Sequence, residues 1–470
     1  MSTTSALSLW LTDRSRYSTG TGRCATERYL KNHFGPTGYG IVKKSESLPL
    51  MTGGFTHKAL ETLWIYLKDH DEVPPRQTVR AAIADAQAAY EKRIEHRGFR
   101  GLLQSETSDL VVKEQCVLLA GLVWLIWKNL IPWIHQHYRI ILAETESVYV
   151  LGCTCGLGSG VLDPLAHDAK GCLGIGQMQR QDLVGEKRLG GTLAYFEGKT
   201  TGWGGDNWAP QWETKPQLAI GTLGLEERFG KEVSETFIIA AYKGSRKTSQ
   251  PKDPFEEAVT RQETPLCYGY CRPGNPPLSK DEWRPAYEWT DHLGVTKRVS
   301  REHKKRGVWE LEESDWPEWT NRTNRGLSPV EWWLDQLPQS VVEKQVYLIG
   351  PMNRQDAQLT ALKRQIVGEE LRWQQILWEL YEVQAAGHGW ATDEFQQALQ
   401  RLVPASWECR RFGVKHECEF TKLCFKKQGW EDPFANGYVA RRPHHSTELD
   451  VAISRGLLPE LTEEDEGEDE

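Results

Sequence analysis

LGIGQMQRQDLVGEKRLGGTLAYFEGKTT, from Leu173 to Thr201, is the stretch that decides the fold. It reads as two β-strands joined by a turn. The turn lies in GEKRLGG, residues 185–191, where glycine supplies the positive φ that a tight reversal needs. A turn centred between Leu189 and Gly190 sets Asp182 opposite Glu197. Two residues on, Lys199 shares a strand face with Glu197, because side chains alternate along a strand. Two carboxylates and a lysine suit phosphodiester hydrolysis. Oxygen ligands hold Mg²⁺ or Mn²⁺, and such an ion activates water and neutralises phosphate charge. The lysine orients the water or stabilises the developing charge. Glu-x-Lys alone is more often a cross-strand ion pair of little consequence. The strand context, the matched Asp182 and the flanking GKTT favour chemistry.

GKTT at 198–201 invites a different reading. A phosphate-binding P-loop carries glycine five residues before its Gly-Lys pair, where this chain has Leu193. The segment reads as strand, which argues against an ATP-driven motor in this chain.

Outward from the hairpin the texture alternates. Residues 57–70 and 76–98 have helical character, and 109–135 reads as a more buried helix ending near Pro132. RIILAETESVYVLG, from Arg139, is β-branched and reads as strand. A helix is expected over 213–229, a strand at TFIIAAYKG, and helices again over 354–385 and 391–402. The expected class is α/β.

The 470 residues allow two to three domains, or one large domain with insertions. The net charge of −8 argues against a nucleic-acid binder only until its distribution is read. Eight acids and no bases lie between Glu460 and Glu470, so the rest of the chain is close to neutral. That tail reads as solvated and disordered. No secretory signal is visible, and the most apolar stretch, Val117 to Trp127, is too short to span a bilayer. The expectation is a cytoplasmic protein without a membrane segment. Ten cysteines in such a chain are metal ligands or buried residues rather than a disulfide scaffold.

Taken together, GGFTHKALE with His57, RQDLV with Asp182, YFEGKTT with Glu197 and Lys199, and PQLAIG with Gln217 resemble, in order, the motifs of the PD-(D/E)XK nuclease superfamily, specifically its RecB-like branch. The resemblance covers residues 20–245 and returns at 405–445. It implies a restriction-endonuclease-like core, a mixed central sheet flanked by helices, in which Asp182, Glu197 and Lys199 are catalytic. His57 joins Asp182 and Glu197 as a metal ligand, from a position that opens a helix. Gln217 would contact substrate from its helix. Glu144 matches an acidic position on an earlier strand, with Glu146 an equal candidate. One departure is Gly221, where the family often has tyrosine four residues after the glutamine.

WECRRFGVKHECEFTKLC places Cys409, Cys418 and Cys424 close together near the C-terminus. Members of this branch with iron–sulfur clusters, among them CRISPR-associated exonucleases, use one cysteine before the nuclease core and three after it. The resemblance therefore implies Cys24 as fourth ligand of a 4Fe–4S cluster. Zinc is the alternative, although no Cys-x-x-Cys pair is present. Such a clasp joins ends about 400 residues apart and is expected to be structural.

The resulting organisation is an N-terminal helical region at 1–137, a nuclease core at 138–245, an irregular insertion at 246–350, helices at 351–404, a cysteine-rich module at 405–447 and an acidic tail at 448–470. The expected function is a divalent-metal-dependent DNA exonuclease or end-processing nuclease. The alternative is a non-catalytic DNA-binding or assembly subunit on the same fold. DNA with single-stranded ends is the implied partner, with RNA left open. Arg180, Lys243, Arg246 and Lys247 are candidates for phosphate contacts. A helicase or recombination factor would fit as protein partner.

Overall fold

A computed structural model describes residues 9–17, 24–35, 38–43, 48–99, 109–153, 174–202, 208, 210–243, 288–290, 296–298, 339–405, 418–424, 431–443 and 445–457. Cys409, Arg246, Lys247 and residues 458–470 of the expected acidic tail lie outside the described residues, as does most of the expected insertion; the start of that tail, from 448, is helical instead.

The strands are β1 (Leu9–Asp13), β2 (Ile41–Lys43), β3 (Tyr138–Cys153), β4 (Gly174–Lys187), β5 (Leu193–Thr201), β6 (Val233–Tyr242), β7 (Glu288–Thr290), β8 (Thr296–Arg298), β9 (Val346–Met352) and β10 (Tyr438–Ala440). A mixed sheet runs β1-β4-β5-β6-β9, with β3 on the other edge of β4; β2 pairs β10, and β7 pairs β8. The helices are α1 (Ala25–Asn32), α2 (Leu48–His70), α3 (Arg76–Phe99), α4 (Asp109–Asn129), α5 (Ile131–His137), α6 (Gln211–Thr214), α7 (Pro216–Phe229), α8 (Gln339–Gln345), α9 (Asp356–Ala385), α10 (Asp393–Leu402), α11 (Thr421–Cys424) and α12 (Ser446–Ser454).

The chain is α/β, with the sheet between two helical layers. Helices α2 to α5 cover one face, where Leu63, Leu122 and Trp124 pack with Leu183 and Phe196. Helix α7 covers the other face, where Leu218 and Leu225 pack with Val184, Tyr195 and Ile238. Strand β6 is buried on both faces, which is why TFIIAAY is an unbroken apolar run rather than an alternating one.

The expected break near Pro132 is a junction between two helices. The chain re-enters α5 with Pro132 in its first turn, where a missing N–H does no harm. The stretch Leu118–His137 is long and apolar enough to cross a membrane by composition, and 61% of its apolar window is buried within the protein. Its residues fill the core beside the sheet.

Two strands of the central sheet fall where none was expected. β1 comes from the region read as N-terminal helices, yet it pairs in parallel with β4 (Leu9 with Gly174 through Asp13 with Met178). β9 comes from the end of the expected insertion and pairs antiparallel with β6. The central sheet therefore draws on both regions flanking the expected core.

A second apolar cluster joins the two ends of the chain. Tyr29, Leu30 and Phe34 pack with Trp373, Phe395 and Phe420, and β2 pairs antiparallel with β10. Between this cluster and the sheet runs a buried ionic network. Arg28 and Glu370, both fully buried, pair at 2.7 Å. Glu370 also accepts hydrogen bonds from Thr12 at 2.8 Å and Trp10 at 2.9 Å, and Arg16 pairs with Glu448 at 2.7 Å. Removing one partner of such a pair costs about 3–5 kcal/mol, since a buried charge is left unmatched. The network thus fixes β1 against α9 and α12.

Candidate active site

The hairpin has the register that its turn chemistry implies. Leu183 pairs with Phe196 and Val184 with Tyr195, and Gly190 and Gly191 take φ of 101° and 67° in the turn. The pairing stops at Leu183 and Phe196. One step further, Gly198 N–H donates to Asp182 Oδ2 at 2.6 Å, so Asp182 lies where the two strands part.

That parting has a cause. Near its start, β4 gives the same edge to β1, as far as Asp13 opposite Met178. Strand β1 runs parallel to β4 and β5 antiparallel, so their C-terminal ends point at each other across residues 179–182. Arg14, next after β1, closes this fork with Nη1 2.7 Å from Glu197 Oε1. A site at the C-terminal ends of strands that diverge is a common solution in α/β folds.

Glu197 is the hub. Its Oε1 accepts from Arg14, from Lys199 Nζ and from Gln217 Nε2 on α7, and its Oε2 accepts from the Tyr195 hydroxyl. Burial pushes this carboxyl up, but the Arg14 and Lys199 cations and the hydrogen bonds outweigh it and hold Glu197 ionised well below the usual carboxylate range. Asp182 goes the other way. Burial and the charge on Glu197 push it up to about 6, against the pull of Lys199 and the Gly198 N–H.

Glu144 lies on the opposite flank. Ala143 pairs with Leu183 and Thr145 with Gln181, which brackets Glu144 against Asp182. Its φ is 43°, a left-handed conformation that a glutamate adopts at a cost. Burial and the Asp182 charge push Glu144 up to about 8, although Arg180 donates to it at 2.9 Å. The row Glu144, Asp182, Glu197 therefore crosses three adjacent strands. Glu146, the equal candidate in sequence, does something else: its Oε2 accepts from Ser446 N–H at 2.9 Å at the start of α12, and His445 lies 3.5 Å away. It anchors the C-terminal helix.

His57 reaches this row from α2, but not from the helix start. Helix α2 begins at Leu48, nine residues earlier, and continues through Gly53 and Gly54. Gly53 lets the helix approach β5, since a Cβ there would stand 2.5 Å from Thr200 Oγ1. The His57 ring lies over Gly198, in space that a side chain at 198 would need. Loss of water and the nearby Lys199 cation push the imidazole down to about 4, so it is neutral at physiological pH and able to ligate.

The substrate-contact candidates divide. Gln217 is drawn onto Glu197. Arg180, half-exposed, pairs with Glu144 and with Glu61 of α2 at 3.4 Å. Lys243 lies beside Gly53 and Thr200 at the end of β6, and burial pushes it down to about 8. Gly221 has a structural reason. A Cβ there would meet the Tyr195 ring and stand 2.8 Å from Gln179 Nε2. A tyrosine at 221 is incompatible with Tyr195, which puts its own hydroxyl on Glu197. Sequence reasoning missed Arg14, Tyr195 and Glu61. Only Tyr195, two residues before Glu197 and on the same strand face, carried a local signal.

The donor set of three carboxylates and a neutral imidazole fits a hard or borderline divalent ion. Among the described residues no three His, Cys, Asp or Glu side chains already converge on one point. Glu197 is turned toward its cationic partners instead.

At the clasp, Cys418 and Cys424 border the cluster that joins the chain ends, together with Ala25, the neighbour of Cys24. None of Cys24, Cys418 and Cys424 forms a disulfide. Thr26 Oγ1 donates to Val403 O at 2.6 Å, and Tyr438 OH to Glu419 O at 2.6 Å, which tie the flanking segments together.

No protein-family model matches this chain, and no curated protein matches it in sequence.

Proposed function

We propose that this protein is a divalent-metal-dependent nuclease of the PD-(D/E)XK type, acting on DNA as an exonuclease or end-processing enzyme. The observation that carries the reading is the row of Glu144, Asp182 and Glu197 across three strands, with Lys199 on Glu197 and His57 over Gly198. Burial first, and the neighbouring carboxylate's charge second, raise Asp182 and Glu144, a situation that a bound dication relieves.

Asp182, Glu197 and His57 would hold Mg²⁺ or Mn²⁺, with Glu144 beside them. The ion would supply an activated water and a counter-charge for the phosphate. The remaining work falls to the chain. Lys199, 22% exposed on its strand end, is within reach of both Glu197 and solvent. There it orients the attacking water or meets the charge that grows on phosphorus-bound oxygen as the P–O ester bond breaks. Tyr195 and Gln217 hold the Glu197 carboxylate in one orientation. Arg180 and Lys243 flank the row as phosphate contacts.

Cys24, Cys418 and Cys424, with Cys409, would hold a 4Fe–4S cluster, or zinc. Partly buried cysteines outside any disulfide, on segments that pack together, fit a soft-metal group. Its role would be to lock the joined ends of the chain.

The test pairs cleavage with binding on labelled single- and double-stranded DNA. Cleavage is measured with Mg²⁺ or Mn²⁺, and binding with Ca²⁺ to slow chemistry. Cleavage lost in Glu197→Gln and Lys199→Ala, with DNA binding kept, supports the reading. Binding without cleavage of any DNA or RNA by wild-type protein favours the non-catalytic subunit.

A further inference from the structure

Glu197 Oε1 is oversubscribed. A carboxylate oxygen offers about two lone-pair directions, yet this one meets donors from Arg14, Lys199 and Gln217. An ion that took Glu197 would have to displace at least one of them. Arg14 is the donor placed to leave. Its side chain is 39% exposed, against 22% for Lys199. It follows β1 rather than belonging to β5 or α7, so its movement disturbs neither the strand that carries Glu197 nor the helix that carries Gln217.

Its mounting is built. Asp13 Oδ1 caps the helical turn at 14–17 by accepting from Ser15 N–H at 2.6 Å and Arg16 N–H at 2.8 Å. Asp13 is fully buried, and Arg16 is fixed to Leu11 O and Glu448. Arg14 thus projects from a rigid base, with freedom confined to its own side chain. A guanidinium so held presents a planar fork that matches phosphate as well as carboxylate.

We propose that Arg14 is a substrate-positioning residue that occupies Glu197 until a divalent ion takes that carboxylate, and then moves onto a phosphate oxygen of the nucleic acid. This rests on the reading of Glu197 as a metal ligand. Before loading, the guanidinium supplies the counter-charge that Glu197 needs in the fold. After loading, the same charge serves the substrate. The ion and the phosphate therefore arrive at a site whose resident cation is exchanged rather than removed.

The test is Mn²⁺ binding to the full-length protein, followed by calorimetry and by loss of the free-ion electron paramagnetic resonance signal. Wild type is compared with Arg14→Gln, Arg14→Lys and Glu197→Gln, and folding is verified by thermal melting. Arg14→Gln should bind Mn²⁺ about two- to fivefold more tightly, the range that a part-exposed ion pair is worth. The same variant should bind DNA in Ca²⁺ about tenfold more weakly, as loss of one charge-assisted hydrogen bond implies. Arg14→Lys should keep the wild-type Mn²⁺ affinity and recover part of the DNA affinity. A merely structural role would weaken both. Mn²⁺ binding that depends on Glu197 but is unchanged or weaker in Arg14→Gln overturns the inference and leaves the metal site standing. Binding by Arg14→Gln alone supports it. Absence of Mn²⁺ binding in both overturns the metal reading and the inference with it.

Discussion

The His57 imidazole occupies the space that a side chain at Gly198 would fill. Its Cε1 lies 2.7 Å, and Asp182 Oδ2 3.1 Å, from the point where a Cβ would sit. The glycine inside the Glu-Gly-Lys triplet is thus part of the site. Gly198→Ala should cost about 1–3 kcal/mol of stability by overpacking. It should also abolish metal-dependent cleavage by separating His57 from Asp182. Near-normal cleavage by a folded Gly198→Ala protein would remove His57 from the site.

Glu144 and Glu146 stand two residues apart on one strand and should separate cleanly. Glu144→Ala should lower cleavage strongly and weaken Mn²⁺ binding. Glu146→Ala should leave cleavage intact and reduce stability by about 0.5–2 kcal/mol, as loss of a helix-terminal side-chain acceptor does. Thermal melts and cleavage rates measured on both variants decide it. The reverse pattern would transfer the metal role to Glu146.

The metal-free protein should lose stability as pH rises from about 6.5 to 8. Glu144 holds its proton up to about 8 in the fold, against about 4.3 in an unfolded chain. Between these values the folded state binds more protons, so the stability contributed is present at low pH and lost as pH climbs through the folded value. Asp182, raised to about 6, acts in the same sense at lower pH. His57, pushed down to about 4, opposes both below about 6.5. Lys243, pushed down to about 8, opposes above that value. The window from about 6.5 to 8 therefore isolates Glu144. Melting in a chelator should show a falling midpoint there, absent in Glu144→Gln, and added Mn²⁺ should raise the midpoint more at pH 8 than at 6.5. A flat profile in the wild type would contradict the crowding of carboxylates described above.

Purified protein should be coloured and contain iron. Cys24→Ser, Cys418→Ser and Cys424→Ser should each bleach it and reduce solubility. Cys116→Ser is the control: Cys116 is buried in α4 with its Sγ 3.7 Å from Glu91, and its loss should leave iron content unchanged. Colourless protein with stoichiometric zinc would select the alternative metal. Protein with neither metal would end the clasp.

Much of the hairpin was legible because its information is local. Turn glycines, alternation and spacing set Asp182 near Glu197. What was missed depends on distant partners. β1 is only five residues long, and its mate β4 begins more than 160 residues later, so no periodicity marks it. Arg14 meets Glu197 across 183 residues, and nothing in TDRSRY announces that. The start of α2 was obscured by Pro49, Gly53 and Gly54, all weak helix formers. The helix persists because Met51, Phe55 and Leu60 are buried against the core, and because Gly53 is what lets it touch β5. Glu144 and Glu146 lie two residues apart, and only their distant partners, Arg180 and Asp182 for one and Ser446 and His445 for the other, tell them apart.

The ionic network beneath β1 also has a bearing on biosynthesis. Thr12 and Arg28 find Glu370, and Arg16 finds Glu448, across 358, 342 and 432 residues. As the ribosome makes the chain, the sheet can form from β3 to β6 long before these acids emerge. Until then Arg16 and Arg28 lack their buried acids, and β1, flanked by them, should be held beside β4 by its backbone ladder alone. Completion of the fork is a late event of high contact order. Nascent chains arrested before Glu448 should therefore lack the Arg14–Glu197 pair, which ties the geometry around Glu197 to residues far along the chain.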